Sequence, residues 1–311
     1  MAGESGELAE KNERFCIVTA SRKMAGMPEP LISLIIVTHN SDHWLTAFFR
    51  WWFAVMADAR MVHEIVVADS GSGVPPEKIC AQLAPAARVI ACGNVGYGAA
   101  INRAAAITTA PWLLLCNPDI SFGEDFFSSF LEPMIRHPPA RAGCMAPGLV
   151  NGDDTAQPSA GPFPTIRRLI TDQFRSPMYR KFSYPEPTGY YDWATGACLL
   201  IRREHFVQVG GFDEKFFLYV EEVDLQKRLA GLGLRTWFVR EGGVMHHAPN
   251  AVRPQRSTQR YSARGMLRYF AKHGALGQLL AYRFLALASF RLLLREAFAS
   301  KKSILEKSTG P

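Results

Sequence analysis

Leu31 to Thr38 reads LISLIIVT, a run of apolar and largely β-branched side chains broken only by Ser33. A strand with one wet face alternates polar and apolar residues, whereas a run apolar on both faces belongs to a strand covered from both sides. Asn40-Ser41-Asp42 follows at once with the side chains that cap a helix N-terminus. The same strand pattern recurs at Glu64 to Asp69, Arg88 to Cys92 and Trp112 to Asn117, with helix-like stretches between, including the alanine-rich Ala99 to Ile107 that carries Asn102. Strands alternating with helices predict a mostly parallel α/β sheet. Ligands bind such sheets beyond the carboxyl ends of the strands, and those ends here carry Thr38, Asn40, Asp69, Ser70, Asn94 and Asp119.

Further along, Asn151 to Pro187 is rich in Pro, Gly and Arg without periodicity and reads as irregular loop, a candidate lid on the acceptor side. Regular signals return with Ala197 to Ile201 and Leu234 to Val239 as strands, and with Arg203 to Val209 and Glu221 to Ala230 as helices. From Ser262 to Phe298, Leu and Phe recur at helical spacing with arginines between them, as in an amphipathic helix. The expected organisation of the 311 residues is a flexible segment over 1–29, a catalytic domain over 30–250, a basic amphipathic helical extension over 251–300 and a flexible tail over 301–311.

Charge is unevenly spread. Between Arg253 and Lys302 stand eight Arg and three Lys against the single acid Glu296, although the whole chain carries only +7. Such a tail suits an anionic surface, nucleic acid or the cytoplasmic membrane leaflet; its other reading is an apolar face packed on the catalytic domain or on a second subunit, with solvated arginines. The six cysteines lack metal-type spacing and mostly sit in apolar runs, as reduced thiols do. No secretory signal and no stretch of about eighteen uncharged apolar residues occurs. A cytoplasmic protein is expected.

Several segments could carry chemistry. Asp119, in the turn Asn117-Pro118-Asp119 after an apolar run, can offer a carboxylate to Mg²⁺ or Mn²⁺, or simply end a strand. Glu221, Glu222 and Asp224 cluster at a helix start, where carboxylates also serve the helix dipole. Phe216-Phe217-Leu218-Tyr219 just before them would desolvate the cluster and raise a proton affinity, as a general base requires. His246-His247 can supply an imidazole to a metal or lie in a loop. Gly93-Asn94-Val95-Gly96-Tyr97-Gly98 opens a helix and can present amides to a phosphate or ribose. Its glycine spacing and its place after the third strand differ from the dinucleotide fingerprint.

Taken in order, Ile36-Val37-Thr38-His39-Asn40, Val67-Ala68-Asp69-Ser70-Gly71-Ser72, Asn94-Val95-Gly96-Tyr97-Gly98 and Asn117-Pro118-Asp119 resemble the family 2 glycosyltransferases, the rhamnosyltransferase-like branch most of all. The second half agrees in Trp193-Ala194-Thr195-Gly196-Ala197, Gly210-Gly211-Phe212-Asp213-Glu214, Phe217 to Leu225 and His246-His247. The resemblance implies a Rossmann-like glycosyltransferase A-type fold that takes a sugar from a nucleotide diphosphate with inversion. It implies Thr38, Asn40, Asp69, Ser70, Asn94, Gly96, Asn102 and Asn117 on the donor side, and Asp119 with His246 at a Mg²⁺ or Mn²⁺. It implies Glu222 as base with Glu221 and Asp224 flanking it, and Trp193, Thr195, Gly196 and Ala197 beside the acceptor. Two positions depart from the pattern: Glu222 stands where Asp is commoner, and Asn117 stands in place of the first carboxylate of an Asp-x-Asp motif.

The expected reaction is transfer of a sugar, rhamnose by resemblance, to a saccharide or lipid-linked acceptor in cell-surface polysaccharide synthesis. The basic tail would then lie on the inner face of the cell membrane, with no nucleic-acid partner; the oligomeric state is left open. The alternative is a nucleotide-sugar-binding protein with little or no turnover. A nucleotidyltransferase would need a basic, glycine-rich triphosphate loop near the first strand, which Thr38 to His43 does not provide.

Overall fold

The computed structural model describes residues 31–56, 63–168, 187–247 and 256–274, together with 277, 278, 280 and 282. The expected flexible ends, part of the irregular loop and most of the extension past residue 274 lie outside the described residues. The first half forms as its pattern dictates: β1 (Ile32–Thr38), α1 (Asp42–Val55), β2 (His63–Asp69), α2 (Glu77–Leu83), β3 (Arg88–Ala91), α3 (Tyr97–Ala106) and β4 (Trp112–Cys116). Every residue of β1 is buried. Ile32, Leu34 and Ile36 face Phe48, Phe49 and Trp52 of α1, while Ile35 and Val37 face Ala100, Ile101 and Ala104 of α3. Burying two to three such side chains on each face contributes about 1.5–3 kcal/mol apiece, which is why β1 carries almost no polar group.

The second half is β5 (Ile120–Phe122), a π-helical turn (Phe127–Leu131) running into α4 (Glu132–Arg136), β6 (Ala142–Asn151), β7 (Ala156–Gln157), β8 (Ala160–Gly161), β9 (Gly189–Tyr191), β10 (Trp193–Ala194), β11 (Cys198–Arg202), α5 (Arg203–Gln208), α6 (Glu221–Gly231), β12 (Arg235–His246) and α7 (Arg256–His273). The large sheet has the order β3-β2-β1-β4-β11-β6-β12-β5, with β7 paired to β6 and β9 to β12; β8 and β10 form a separate ribbon. Pairing is parallel across β3-β2-β1-β4 and between β6 and β12. It is antiparallel where β11 joins β4 to β6 and where β5 joins β12. The expected strand at Leu234 to Val239 is the first half of a longer one, whose register shifts between Val239 and Val244 and so bring His246 back alongside β5. No described helix is long and apolar enough to cross a membrane. The five described cysteines are buried free thiols, with burial pushing Cys144 far up and Cys80 up to about 11.

Candidate active site

The residues expected on the donor side gather at the carboxyl ends of β1 and β2. Ser70 donates its amide to the Thr38 carbonyl at 2.8 Å, which continues the parallel ladder one residue past the strands. Asn40, in the left-handed region at φ 51°, accepts from the Gly73 amide at 2.8 Å. The Asp69 carboxylate accepts from the Ser72 amide at 3.1 Å. Two side chains thus hold one turn, and Thr38 Oγ1 is left buried without a partner. Asn94 lies against the same turn, since a Cβ on Gly71 would sit 2.8 Å from its amide nitrogen.

At the end of β4, Asn117 donates its amide to Ala197 at 2.9 Å, which anchors the turn that delivers Asp119. Asp119 Oδ1 and His246 Nε2 stand 3.4 Å apart, and each is buried with no hydrogen-bond partner. The other ring nitrogen, His246 Nδ1, lies 3.0 Å from Gln157 Oε1. An amide oxygen can only accept, so Nδ1 carries the proton and Nε2 presents its lone pair toward Asp119. His247 is otherwise engaged: its ring nitrogen meets Ser121 Oγ at 2.8 Å and its ring stacks on Trp44 at 5.3 Å. Of the histidine pair, His246 is therefore the one aimed at Asp119. Two orphaned donors, one carboxylate oxygen and one imidazole nitrogen, fit a divalent ion whose remaining positions go to water and diphosphate oxygens. No group of three or more His, Cys, Asp or Glu among the described residues makes a complete protein cage.

Glu221 and Glu222 open α6. Burial, and then the neighbouring Glu222 charge, push Glu221 well above the usual carboxylate range, and its Oε2 has no partner. Burial also pushes Glu222 up, to about 7, against the opposing pull of backbone amides at the helix start. Glu222 borders the acceptor segment: a Cβ on Gly196 would stand 3.4 Å from the Glu222 Cβ. Tyr97 donates to the Gly196 carbonyl at 2.8 Å, and its hydroxyl is pushed up by burial and by nearby Glu221 and Glu222. Burial, and then the nearby charges of Glu221, Asp119 and Glu222, push the Tyr219 hydroxyl up.

The acceptor segment is tied to α6 by Gln226. Its amide accepts from the Ala194 amide at 2.7 Å and donates to the Ala194 carbonyl at 2.7 Å. Trp193 donates to Pro162 at 2.9 Å, and Thr195 donates its amide to Ser159 at 2.8 Å. Ala197 is buried in the core.

Three expected site residues also make contacts that hold the protein together. Asn102 clamps the 210–214 turn, accepting from the Phe212 amide at 2.9 Å and donating to the Phe212 carbonyl at 2.9 Å and to Glu214 at 3.0 Å. Gly96, at φ 88°, lets the Phe217 carbonyl approach α3; an added Cβ would lie 2.1 Å from that oxygen. Asp224 is fully buried and ion-paired to Arg228, Lys272 and His273, which hold its carboxyl below the usual range despite burial. All three occur in the right motifs, but their partners come from segments more than a hundred residues away in the first two cases and from α6 and α7 in the last. Gln157, Tyr97 and Gln226 were not expected in the site. Gln157 lies in a stretch read as irregular loop, and no local pattern marks it.

Comparison with known proteins identifies the family. The family model described as glycosyl transferase family 2 matches residues 33–210. The chain belongs to that family. As a family 2 glycosyltransferase it is similar to the N-acetylglucosaminyl-diphospho-decaprenol L-rhamnosyltransferase of Mycobacterium tuberculosis (strain CDC 1551 / Oshkosh), with 33% identity over 243 residues, 71% of this chain and 78% of the relative. It is also similar to the rhamnosyltransferase WbbL of Escherichia coli (strain K12), 24% identical over 257 residues, 78% of this chain and 93% of that one. Its fold is shared with the mannosyltransferase PcManGT from Pyrobaculum calidifontis, solved with GDP-Man and Mn²⁺, at a TM-score of 0.56 and 16% identity, covering 98% of this chain and 83% of the other. The glycosyltransferase thus has the A-type fold its motifs imply, and it acts on nucleotide-activated sugar. The matched residues end before α6 and β12, so the assignment of Glu222 and His246 rests on geometry.

Proposed function

We propose that this glycosyltransferase is an inverting, Mn²⁺-dependent enzyme that moves rhamnose from a nucleotide diphosphate to a prenyl-diphosphate-linked saccharide. The orphaned pair Asp119 Oδ1 and His246 Nε2 carries the metal part of this reading. A mixed oxygen and nitrogen set suits Mn²⁺ better than Mg²⁺, which prefers oxygen alone. When bound, the ion would neutralise charge that develops on the departing diphosphate. Thr38, Asn40, Asp69 and Ser70 hold the nucleoside side, with Asn94 and Asn117 at the rim. Glu222, with a proton affinity near neutrality, accepts the acceptor hydroxyl proton as that oxygen attacks the anomeric carbon from the face opposite the diphosphate. Glu221, more deeply buried, stays protonated and keeps a second negative charge away from the attacking oxygen. The absence of a side chain at Gly196 leaves room for the acceptor beside Glu222.

Rhamnose and a lipid-linked acceptor are supported by the activity for which the M. tuberculosis relative is named. Membrane association is supported by the basic tail: Arg268 and Lys272 within it pair with carboxylates of the catalytic domain, and Arg260 and Arg264 are exposed. The test is calorimetric titration of UDP, GDP and dTDP with and without Mn²⁺ into the wild type and into Asp119→Ala and His246→Ala. The expected result is metal-enhanced binding of one nucleotide in the wild type, lost in both variants. Retention of that enhancement in either variant would remove its residue from the metal site.

A further inference from the structure

Helix α7 lies outside the matched family region, yet it touches the segment that carries the base at both ends. At the near end, Asp213 accepts from Arg268 at 3.0 Å and from Lys272 at 2.9 Å. At the far end, Asp224, without exposed surface, accepts from Lys272 at 2.8 Å and from His273 Nε2 at 2.7 Å. One ammonium group therefore spans two carboxylates, and the ten residues between them include Tyr219, Val220, Glu221 and Glu222.

That interval is strained. Tyr219 and Val220 are consecutive non-glycine residues in the left-handed region, at φ 69° and 73°, which is costly for a β-branched side chain and persists only where surrounding contacts over-determine it. Helix α7 supplies those contacts. Gly265 meets the strained pair so closely that a Cβ there would lie 2.6 Å from the Tyr219 carbonyl oxygen and 3.0 Å from Val220 Cγ2. Phe216, Val220 and Val223 form a buried cluster with Tyr269 and Phe270, and Phe217 packs on Tyr261 at 4.9 Å. Val220 is the N-cap of α6, and Glu222 is the second residue of that helix.

We infer that α7 is a built-in brace of the active site, in which Lys272 and His273 are positioning residues that hold the 213–224 segment and so fix Glu222 against the acceptor. This rests on Glu222 as the base. Neither residue touches the reacting atoms; each acts through Asp213 or Asp224. The described part of the basic extension is thereby part of the catalytic unit.

The test uses the full chain carrying Lys272→Met, with Lys272→Arg as the conservative replacement and Asp213→Asn as a second way to cut the near anchor. Hydrogen exchange, which needs no ligand, should show faster deuterium uptake over residues 213–224 in Lys272→Met and Asp213→Asn, with β1 to β4 unchanged and Lys272→Arg close to wild type. Transfer is measured with L-rhamnose activated as its dTDP and UDP esters and a prenyl-diphosphate N-acetylglucosamine acceptor. The expected kcat in Lys272→Met is lower by roughly tenfold to a hundredfold, the range that small misplacement of a catalytic group produces, with donor KM moved less than about twofold. Unchanged exchange over 213–224, or uptake rising equally across the whole sheet, overturns the brace. Full turnover in Glu222→Gln would instead sink the base assignment, and the exchange result would still judge the brace by itself.

Discussion

Replacing Glu222 by Gln should make the protein more stable at alkaline pH while removing its activity. The carboxyl is raised from 4.5 to about 7 by burial, so the folded chain binds this proton more tightly than the unfolded chain does. Stability is then greatest below pH 4.5, falls as the pH rises from there to 7, and stays reduced above it. A displacement of this size corresponds to about 3 kcal/mol at 1.36 kcal/mol per pH unit, and partial exposure of Glu222 trims it to about 2–3 kcal/mol. Glutamine has nearly the shape of the protonated acid and carries no charge, so Glu222→Gln should recover most of that energy at pH 8 and almost none at pH 4. It also removes the charge that helps hold Glu221 protonated. At about 2–4 °C per kcal/mol for a domain of this size, the gain at pH 8 is a rise in melting temperature of about 5–10 °C. The assay is thermal unfolding of both proteins in EDTA across pH 4 to 8, beside the rate of sugar transfer. Wild-type turnover should climb as the pH rises through about 7, because only the unprotonated base accepts the proton. A variant no more stable than the wild type at pH 8, or one whose gain is equal at pH 4 and pH 8, would refute the claim that burial holds Glu222 near neutrality.

Two further outcomes follow from the same geometry. Gly96→Ala should lose at least about 2 kcal/mol by urea unfolding, because it forces a side chain into a glycine-only conformation and into the Phe217 carbonyl; a loss below about 0.5 kcal/mol would show that the α3 entrance is not packed as described. Gln157→Ala should weaken Mn²⁺ binding about 10–100-fold in the presence of nucleoside diphosphate, because His246 loses the acceptor that fixes its tautomer. Unchanged Mn²⁺ affinity by calorimetry would mean that Gln157 does not orient the ligand.

Much of the first half of the molecule was legible in the sequence. β1, β2, β3 and β4 are short, locally encoded runs; β1 and β4, apolar on both faces, are buried throughout, whereas β3 lies at the sheet edge and is only partly covered. α3 begins two residues before the expected Ala99, because its first turn is set by Phe217, whose carbonyl binds the Tyr97 amide at 3.0 Å. The antiparallel half was less legible. β5 has three residues and β6 contains Gly143, Pro147 and Gly148, so neither has a strong period; β6 is held as a strand by β11 and β12 on its two sides. Among site residues, Asp119, His246 and Glu222 stood out by chemical type and order. Asn102 and Gly96 belong to the same motifs and meet the backbone of the 212–217 segment, and Asp224 meets the side chains of Arg228, Lys272 and His273; motif spacing does not carry these contacts.

The linear pattern by itself determined the alternation of strands and helices, the edge of the sheet where polar residues gather, and the class of chemistry, because all three depend on side-chain type and short-range spacing. Only the tertiary structure decided that His246 rather than His247 meets Asp119, that Gln157 meets His246 and Gln226 holds Ala194, and that α7 closes on the 213–224 segment. Each of those depends on which groups the folded chain brings within about 3 Å of one another. His246 ends β12 and His247 follows it, and the partners that decide between them come from β5, β7 and α1, remote in sequence from β12.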